Sequence, residues 1–555
     1  MKRVKDSLAF LLIVFSWLTI SVAQTTHEKI ILPPDQGGPA FLNDAIVGDT
    51  LANGSRTDLQ RVYVLKRDGI YKVNAVITNT GYPVIIKSEP GTKGYKPTIF
   101  LDNNPTTQLP PGQMISIKTD INLSGLIIGG YYEPVPANLT GLQGALFNTA
   151  TAGVNIIIDD CILTNTNGNH IRTDQAPHLI KITNTIFGNM GYLGRSNLGA
   201  GKGIDVRAGS VDSLIIQNCS FINWQDRVIR HFSSTAPIKY LFFDHNTLVN
   251  GMSYHGLLSL GKVGYDVVIT NNMLSDAFAL GADTDATRQA EFTDSQEKDQ
   301  YGGARMTWVI TSPNDTTKFT IKNNYYSISA AGQAFYDKNK AAGVQGEGSP
   351  LTYHINKKLG ADSTKAFIKL TTPVAFTNAP KLMTAMMDWY RSPTGANKTK
   401  LTTTWNASFD YDRRSAEYWH DTLNLSYPKT SPAYTGGTDG KPVGAQRWSQ
   451  VTAVEKVPSG IISSYTLDQN YPNPFNPSTK ITYAVPENAI VTLSIYNSLG
   501  QEIARLINGS SQNSGRYSVT WNGKDSFGRS VSSGIYFYQL KANNTLITKK
   551  MQMIK

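Results

Sequence analysis

The chain has 555 residues, of which 17% are charged, and its formal net charge is +11. Residues 1–23 carry +2 and residues 465–555 carry +5, which leaves only +4 for residues 24–464. Because this long middle segment is nearly neutral, nucleic acid is not an expected partner.

Residues 1–23 have the layout of a cleavable secretory signal peptide. A basic start, Lys2-Arg3, precedes an apolar run from Leu8 to Val22, and a small-residue site ends at Ala23. The run is shorter than the ~20 residues that span a bilayer, so cleavage is favoured over a membrane anchor. We therefore expect export to a secreted or cell-surface location.

Residues 24–60 are predicted to form an N-terminal cap region. Within them, residues 40–50 (AFLNDAIVGDT) are amphipathic. A short helix at this position would cover the open end of a solenoid, whose apolar interior would otherwise meet water.

A short strand pattern recurs between residues 61 and 345. Two or three β-branched or apolar residues precede a polar pair and a large apolar residue, at 156–163, 180–187, 214–221, 241–248, 267–274 and 319–326. The last apolar positions are 24, 34, 27, 26 and 52 residues apart, and 52 is twice 26. Strands at this period are typical of a parallel β-helix. The alternative, an antiparallel sandwich, would need hairpin turns that the sequence lacks.

The polar pair of each repeat is expected where the coil turns. Asn and Asp tolerate left-handed backbone angles, so we predict a ladder of turn residues on successive coils: Asp160, Asn184, Asn218, His245, Asn271 and Asn323. The same register puts Cys161 and Cys219 two coils apart, with Cα atoms ~9–10 Å from each other. That separation is beyond disulfide reach, and we expect two free, buried thiols.

A second strand in three of the coils carries basic residues, at 169–172, 204–207 and 228–231. If Ile171, Val206 and Ile229 face inward, alternation places three guanidinium groups outward on successive coils. The predicted row is Arg172, Arg207 and Arg230, with Lys202 and Arg227 nearby.

Three guanidinium groups about 5 Å apart repel one another unless an anion lies across them. The carboxylates of an acidic polysaccharide would supply that charge, with Arg172, Lys202 and Arg227 as substrate-binding residues. β-Elimination from a uronate also needs a base that removes a proton from the sugar ring. The alternative is a salt-bridge ladder, because Asp174, Asp205 and Asp226 are close in sequence.

Residues 281–305 form an acidic insertion. Carboxylate oxygens bind Ca²⁺, and Asp283 and Asp285 are the candidate metal ligands in this loop. EF-hand spacing is absent, and a solvated acidic loop is the alternative. No other cofactor is expected.

Residues 346–450 lose the repeat and are predicted to pack as an irregular flank or cap. Their end, at 440–444 (GKPVG) with Arg447-Trp448, resembles the tail of β-helix proteins that look like secreted pectate lyases. The resemblance to pectate-lyase-like proteins implies a right-handed solenoid, in which Arg or Lys acts as base and Ca²⁺ or basic side chains neutralise the substrate carboxylate. By this resemblance Arg207 and Arg230 are the candidates for the base, with His231 as a second acid or base.

Residues 451–464 are predicted to be a linker, and residues 465–555 a small antiparallel β-sandwich of short alternating strands. The segments 471–479 (YPNPFNPST), 491–497 (VTLSIYN) and 549–555 (KKMQMIK) resemble, in this order, the type A C-terminal sorting domain of the type IX secretion system. The resemblance implies recognition by the secretion machinery, then release or attachment at the outer-membrane surface. A carbohydrate-binding sandwich is the alternative.

The predicted fold is therefore all-β: a single-stranded right-handed parallel β-helix followed by a small antiparallel β-sandwich. We expect a monomer that acts on extracellular polysaccharide, first as a lyase of an acidic glycan. A hydrolase would need clustered Asp residues on adjacent coils, which these strands lack. The alternative from another class is a non-catalytic adhesin or glycan-binding scaffold.

Overall fold

The structure is a computed structural model, and it describes residues 27–91, 94–130, 144–166, 168–191, 199–207, 209–231, 233, 235–292, 297–391, 423–438, 440–449, 455–457, 465–526 and 529–554. It confirms the predicted fold class, because a long parallel β-helix precedes an antiparallel β-sandwich. The predicted signal peptide, residues 1–23, lies outside the described residues.

Three parallel sheets form the sides of the β-helix. Sheet I contains β1 (Glu28–Ile31), β2 (Val62–Leu65), β5 (Val84–Ser88), β8 (Ile121–Ser124), β11 (Asn155–Asp159), β14 (Leu179–Thr183), β17 (Val211–Gln217), β20 (Ile238–Asp244), β23 (Val263–Thr270) and β27 (Lys318–Lys322). Sheet II contains β4 (Ile77–Thr78), β7 (Ile115–Ile117), β10 (Ala145–Thr149), β13 (Asn169–Thr173), β16 (Lys202–Val206), β19 (Arg227–His231), β22 (Leu258–Ser259), β26 (Thr307–Ile310) and β30 (Ser349–Leu351). Sheet III contains β3 (Ile70–Val73), β6 (Thr98–Leu101), β9 (Ile127–Gly129), β12 (Ile162–Thr166), β15 (Ile186–Met190), β18 (Ser220–Trp224), β21 (Thr247–Gly251), β24 (Met273–Ser275), β28 (Asn324–Ser327) and β31 (Phe367–Lys369).

Each coil passes from sheet I to sheet III and then to sheet II, and like residues stack in its interior. In sheet I, Ile156, Ile180 and Leu214 are in register and fully buried. In sheet III the rings of Phe187 and Phe221 stack with centroids 4.7 Å apart. Burial of these stacked side chains is the main force that holds the coils together, because each contributes about 1.5–3 kcal/mol of hydrophobic free energy.

The predicted turn ladder is confirmed. All six residues adopt left-handed φ angles, namely Asp160 (51°), Asn184 (52°), Asn218 (57°), His245 (51°), Asn271 (58°) and Asn323 (56°). Cys161 and Cys219, which lie one residue after two of these turns, are free and buried as expected, and burial raises the pKa of each thiol to about 12.

A second, unpredicted ladder of asparagines bends sheet III. Its members also have left-handed φ angles: Asn165 (55°), Asn189 (51°), Asn223 (54°) and Asn250 (61°). Their side chains are joined, since Asn189 donates to Asn165 Oδ1 (2.7 Å), Asn223 to Asn189 (3.2 Å) and Asn250 to Asn223 (3.3 Å). These residues escaped prediction because they lie inside segments with a strand pattern.

The 52-residue spacing is one long coil, not two coils of 26 residues. β23 pairs directly with β27, and β24 pairs with β28. The additional length contains the helix Ala286–Glu291 and the strand Ala282–Asp283 (β25), which pairs with Val344–Gly346 (β29). A long insertion at one position of a coil leaves the stacking of its strands intact.

The parallel sheets extend beyond residues 61–345 at both ends. β1 begins sheet I at Glu28, and the helix expected within residues 40–50 is α1 (Leu42–Val47), whose Leu42 and Ile46 join the core. The insertion helix is α2 (Ala286–Glu291), and β31 continues sheet III to Lys369. The helices that follow are α3 (Ala330–Asn339), α4 (Tyr353–Leu359), α5 (Thr384–Arg391) and α6 (Gln446–Ser449).

The segment after residue 370 packs on the outside of the solenoid. Sheet III presents an apolar column outward: Ile127, Ile162, Ile186, Ile222 and Val249. Leu425, Phe376 and Trp448 cover this column, and the Trp448 indole donates to Ser220 Oγ at 2.7 Å. No helix in the described ranges is long and apolar enough to cross a membrane.

The C-terminal sandwich consists of two antiparallel sheets with a core of its own. One sheet contains β32 (Glu455–Val457), β37 (Gly515–Trp521), β34 (Thr479–Val485) and β33 (Thr466–Leu467). The other contains β36 (Glu502–Gln512), β35 (Ala489–Asn497), β38 (Gly534–Ala542) and β39 (Thr545–Met553). β32 shows that the segment predicted as a linker, residues 451–464, includes a strand of the sandwich.

Candidate functional site

The outer face of sheet II brings together most of the predicted site residues, but in a different register. β13, β16 and β19 pair so that Arg172 lies opposite Asp205, and Asp205 lies opposite Arg230. Arg207 follows Val206 just beyond the end of β16, so the predicted row of Arg172, Arg207 and Arg230 is wrong. The residue level with Ile171 is Ile204 rather than Val206. A shift of two residues preserves the alternation of inward and outward side chains, so alternation alone could not distinguish these registers.

Each of the three arginines is paired with an aspartate. Arg172 Nε donates to Asp174 Oδ1 at 2.9 Å. Asp205 lies between two guanidinium groups, 3.6 Å from Arg207 Nη1 and 3.2 Å from Arg230 Nη1. We call these five residues the charge ladder. The salt-bridge alternative is therefore the arrangement that the structure adopts.

Two arginines of the charge ladder face solvent, whereas its centre is buried. The side chains of Arg172 and Arg207 are 36% and 39% exposed, and that of Asp205 is 1% exposed. Asn169 Nδ2 donates to Asp205 Oδ2 at 3.3 Å, which adds a further contact to the buried carboxylate. An incoming ligand can thus reach Arg172 and Arg207 without entering the fold.

Beside the ladder lies a buried ionic group that we call the Asp226 cluster. Asp226 Oδ2 is 3.0 Å from Lys202 Nζ and 3.3 Å from Arg227 Nε, and Asp226 Oδ1 is 2.6 Å from His255 Nδ1. All four side chains are buried, and Asp226 is only 1% exposed. His255 and Asp226 are 29 residues apart, which is close to the length of one coil.

Burial and charge act in opposite directions within the Asp226 cluster. Burial alone would raise the pKa of Asp226, but the positive charges of Arg227 and Lys202 and the His255 imidazole outweigh it and hold that pKa well below 3.8. Burial lowers the pKa of Lys202, although Asp226 and Asp205 oppose this. Asp226 is therefore ionised at neutral pH, where it compensates the buried cations.

His231 cannot serve as the predicted second acid or base on this surface. It lies level with Thr173 and Val206, both fully buried. Its ring nitrogens lie against main-chain carbonyls, with Nδ1 2.9 Å from Leu260 O and Nε2 3.4 Å from Gly209 O. Burial lowers its pKa, so His231 is a neutral structural residue.

The predicted Ca²⁺ ligands in the acidic insertion have other partners. Asp283 Oδ2 accepts from Arg288 Nη1 at 2.9 Å and from Arg391 Nη2 at 3.0 Å. Asp285 Oδ1 accepts from the main-chain N–H groups of Thr287 and Arg288 at the start of α2. A cation would have to displace two guanidinium groups, so this pair does not form the expected site. Across the described residues, no group of three or more His, Cys, Asp or Glu side chains could hold a metal ion.

The arrangement has a net positive charge despite its pairing. The charge ladder and the Asp226 cluster together contain five Lys or Arg side chains and three Asp side chains: Arg172, Lys202, Arg207, Arg227 and Arg230 with Asp174, Asp205 and Asp226. A surface of this kind attracts anions while its internal pairs keep the side chains in place.

One known family matches the C-terminal sandwich, and solved structures resemble part of the chain. Residues 474–545 match the model of the FlgD Ig-like domain family. No curated protein matches the chain. Similar solved structures include dimeric latent PorU from Porphyromonas gingivalis, at 19% identity over 17% of this chain and 10% of that chain, with a TM-score of 0.15. They also include PorZ, a surface component of the type-IX secretion system of the same bacterium, at 17% identity over 22% of this chain and 14% of that chain, with a TM-score of 0.13. This chain thus matches only a small part of each of these proteins, and over residues 474–545 it is similar to the FlgD Ig-like domain.

Proposed function

We propose that the chain is an exported protein whose β-helix binds an acidic extracellular polysaccharide on the outer face of sheet II. The observation that carries this proposal is the excess of two positive charges among the charge ladder and the Asp226 cluster. A polyanion gains favourable electrostatic energy along such a face, and salt weakens that attraction.

Arg172 and Arg207 make the direct contacts in this proposal. They lie on neighbouring coils, with Arg207 two residues beyond Asp205, the residue level with Arg172, and their side chains are more than one third exposed. The guanidinium group offers paired donors to a carboxylate. Ion pairs with Asp174 and Asp205 restrain the two arginines, so less side-chain freedom remains to be lost on binding.

Of the two candidate functions, a scaffold that binds the polysaccharide without cleaving it is better supported by the geometry than a lyase. A lyase would use Arg207 or Arg230 as its base, yet each of these guanidinium groups is already ion-paired with Asp205. Lys202 and Arg227 are buried with Asp226, and a polymer cannot reach them without displacing the chain around them. A glycan-binding scaffold or adhesin needs neither a base nor a metal ion.

Export is the second part of the proposal. It is supported by the signal-peptide layout of residues 1–23 and by the segments 471–479, 491–497 and 549–555 of the C-terminal sandwich, whose sequences resemble a type IX sorting domain. The secretion machinery would recognise the sandwich, and the β-helix would be released or attached at the outer-membrane surface.

Binding is tested by affinity electrophoresis of residues 24–555 in gels with polygalacturonate, alginate or chondroitin sulfate. The double variant Arg172→Ala/Arg207→Ala should bind about tenfold more weakly, which corresponds to about 1.4 kcal/mol. The matched control is Arg505→Ala/Arg516→Ala in the sandwich, which removes two similarly exposed arginines that are also paired with carboxylates. Equal retardation of the two double variants would refute the assignment to sheet II.

Cleavage is tested with the same three polymers by following the ultraviolet absorbance of the unsaturated product. We expect no increase with or without Ca²⁺. An increase that Arg230→Ala abolishes would show that the protein is a lyase and not a scaffold that only binds the polymer.

Export is tested by immunoblotting of medium and cell fractions from a bacterium with type IX secretion. Deletion of residues 465–555 should retain the protein in the periplasm.

A further inference from the structure

A pocket of about 530 Å³ opens at the C-terminal end of sheet II, beside β26 and β30. Residues 299–306 form one wall, residues 345–349 form the other, and Ala282 and Asp283 lie at its base. This volume is within the range of small-molecule sites in proteins. We call it the Tyr301 pocket, and its residues are separate from the charge ladder and the Asp226 cluster.

The walls of the pocket are held by hydrogen bonds from behind. Gln289 Nε2 donates to the carbonyl oxygen of Asp283 at 2.6 Å, and Gln289 Oε1 accepts from the main-chain N–H of Ala304. On the other wall, Trp308 Nε1 donates to the carbonyl oxygen of Glu347 at 2.6 Å. A pocket with fixed walls loses little conformational entropy when a ligand enters.

The strongly charged groups around the pocket compensate one another. The Glu347 carboxylate accepts two hydrogen bonds from Lys369 Nζ, at 2.8 and 3.1 Å. Arg305 lies 3.5 Å from Glu297 and stacks on the Tyr353 ring. Asp283 is paired with two buried arginines. An anionic ligand would therefore have to break an existing ion pair to bind here.

The groups at the mouth are a tyrosine ring, two amides and one carboxylate. The Tyr301 side chain is 71% exposed, and Gln300 and Gln345 are also exposed. In the part of the chain that the structure describes, these three side chains make no hydrogen bond, and Asp299 uses only Oδ1, which accepts from the main-chain N–H groups of Tyr301 (2.9 Å) and Gly303 (2.8 Å). Amide groups can both donate to and accept from hydroxyl groups, and a carboxylate oxygen can accept from them.

We propose that the Tyr301 pocket binds a neutral sugar residue. A sugar ring presents one apolar face of C–H groups, which suits an exposed aromatic ring, and a rim of hydroxyls, which suits Gln300, Gln345 and Asp299. The inference does not rest on the acidic-polysaccharide proposal, because it uses different residues and an uncharged ligand.

Isothermal titration calorimetry of residues 24–555 tests this proposal with neutral β-1,4-linked hexasaccharides of glucose, mannose and xylose. At least one hexasaccharide should bind. Tyr301→Ala should weaken that binding by about tenfold, and Gln345→Ala should weaken it by less. Tyr301→Phe should retain binding because the ring remains. The affinity should be unchanged by added salt, whereas binding of a galacturonate hexamer to sheet II should weaken.

The matched control is Tyr265→Ala, which removes a tyrosine of similar exposure, 62%, from β23 of sheet I. This variant should bind the neutral hexasaccharide as the unaltered chain does. The proposal is overturned if none of the three neutral hexasaccharides binds, or if Tyr301→Ala binds as tightly as Tyr265→Ala. Neither result bears on the charge ladder, whose variants are measured with acidic polymers.

Discussion

The Asp226 cluster and the Tyr301 pocket both lie along sheet II, but they use polar side chains in opposite ways. In the cluster, one carboxylate is shared by two cations and an imidazole, and all four side chains are buried. At the mouth of the pocket, a tyrosine and two glutamines are exposed to solvent. Buried polar groups must find partners within the chain, whereas exposed groups can exchange water for a ligand. We therefore expect substitutions in the cluster to change stability and substitutions in the pocket to change binding.

The largest effect is expected for Asp226→Ala. This change leaves Lys202 and Arg227 as buried cations without their shared carboxylate, and breaking a buried ion pair costs about 3–5 kcal/mol of unfolding free energy. The matched control is Asp174→Ala, whose carboxylate is 39% exposed and should contribute less than about 1 kcal/mol. Urea unfolding followed by circular dichroism measures both. Equal losses in the two variants would show that the cluster is not a stabilising element.

The next largest effect on stability is expected at low pH, where a buried histidine of the β-helix destabilises the folded chain. Burial lowers the pKa of His170 from 6.5 to about 3. Between these values the unfolded chain binds a proton at this residue and the folded chain does not, so stability is lost as the pH falls from 6.5 towards 3. The loss is about 1.4 kcal/mol per pH unit for this residue. His170→Leu should make the unfolding free energy less dependent on pH over this range. An unchanged pH dependence would show that His170 does not cause the loss of stability.

A middle-sized effect is expected in the asparagine ladder, where polar groups are also buried and paired. Asn223→Ala removes a hydrogen bond to Asn189 and another from Asn250, and about 1–3 kcal/mol should be lost for the groups left unpaired. The backbone there has φ 54°, which alanine tolerates poorly. Asn223→Gly separates the two causes, because glycine adopts this φ without strain. If Asn223→Gly were as stable as the unaltered chain, the side-chain bonds would contribute nothing.

The smallest effects on stability are expected at the Tyr301 pocket. Tyr301→Ala and Gln345→Ala should each change the unfolding free energy by less than about 0.5 kcal/mol, because both side chains are exposed. Thermal unfolding measured beside the calorimetric titration checks this. A loss above 1.4 kcal/mol, about a tenfold change in the folding equilibrium, would show that the pocket residues stabilise the fold as the Asp226 cluster does. The two regions would then not differ in the way proposed.

Sequence periodicity predicted the repeating parts of the molecule well. The strand pattern of residues 156–163 and its repeats, the left-handed turn ladder and the two free cysteines all appear as expected. These features depend on which residue types face inward or can adopt a left-handed turn, and both properties are local. The asparagine ladder could have been found in the same way, because Asn165 and Asn189 each lie five residues after a predicted turn residue.

The candidate site was less predictable, because it depends on register between coils of unequal length. Arg207 could be aligned with Arg172 on alternation alone, yet the pairing places Asp205 there. The pairing of Asp226 with His255 joins residues from different coils, and the pocket brings residues 299–306 close to residues 345–349. None of these contacts follows from the local properties of one segment.

The sequence by itself determined the fold class, the approximate coil length and the turn chemistry, because stacking of apolar residues and left-handed asparagines repeats at a readable period. Only the tertiary structure decided that the arginines are paired with aspartates, that Asp283 is held by Arg288 and Arg391, and that a pocket lies at the end of sheet II. The physical reason is that charge pairing acts across coils at a few ångströms, and a shift of two residues changes the partner while leaving the hydrophobic pattern unaltered.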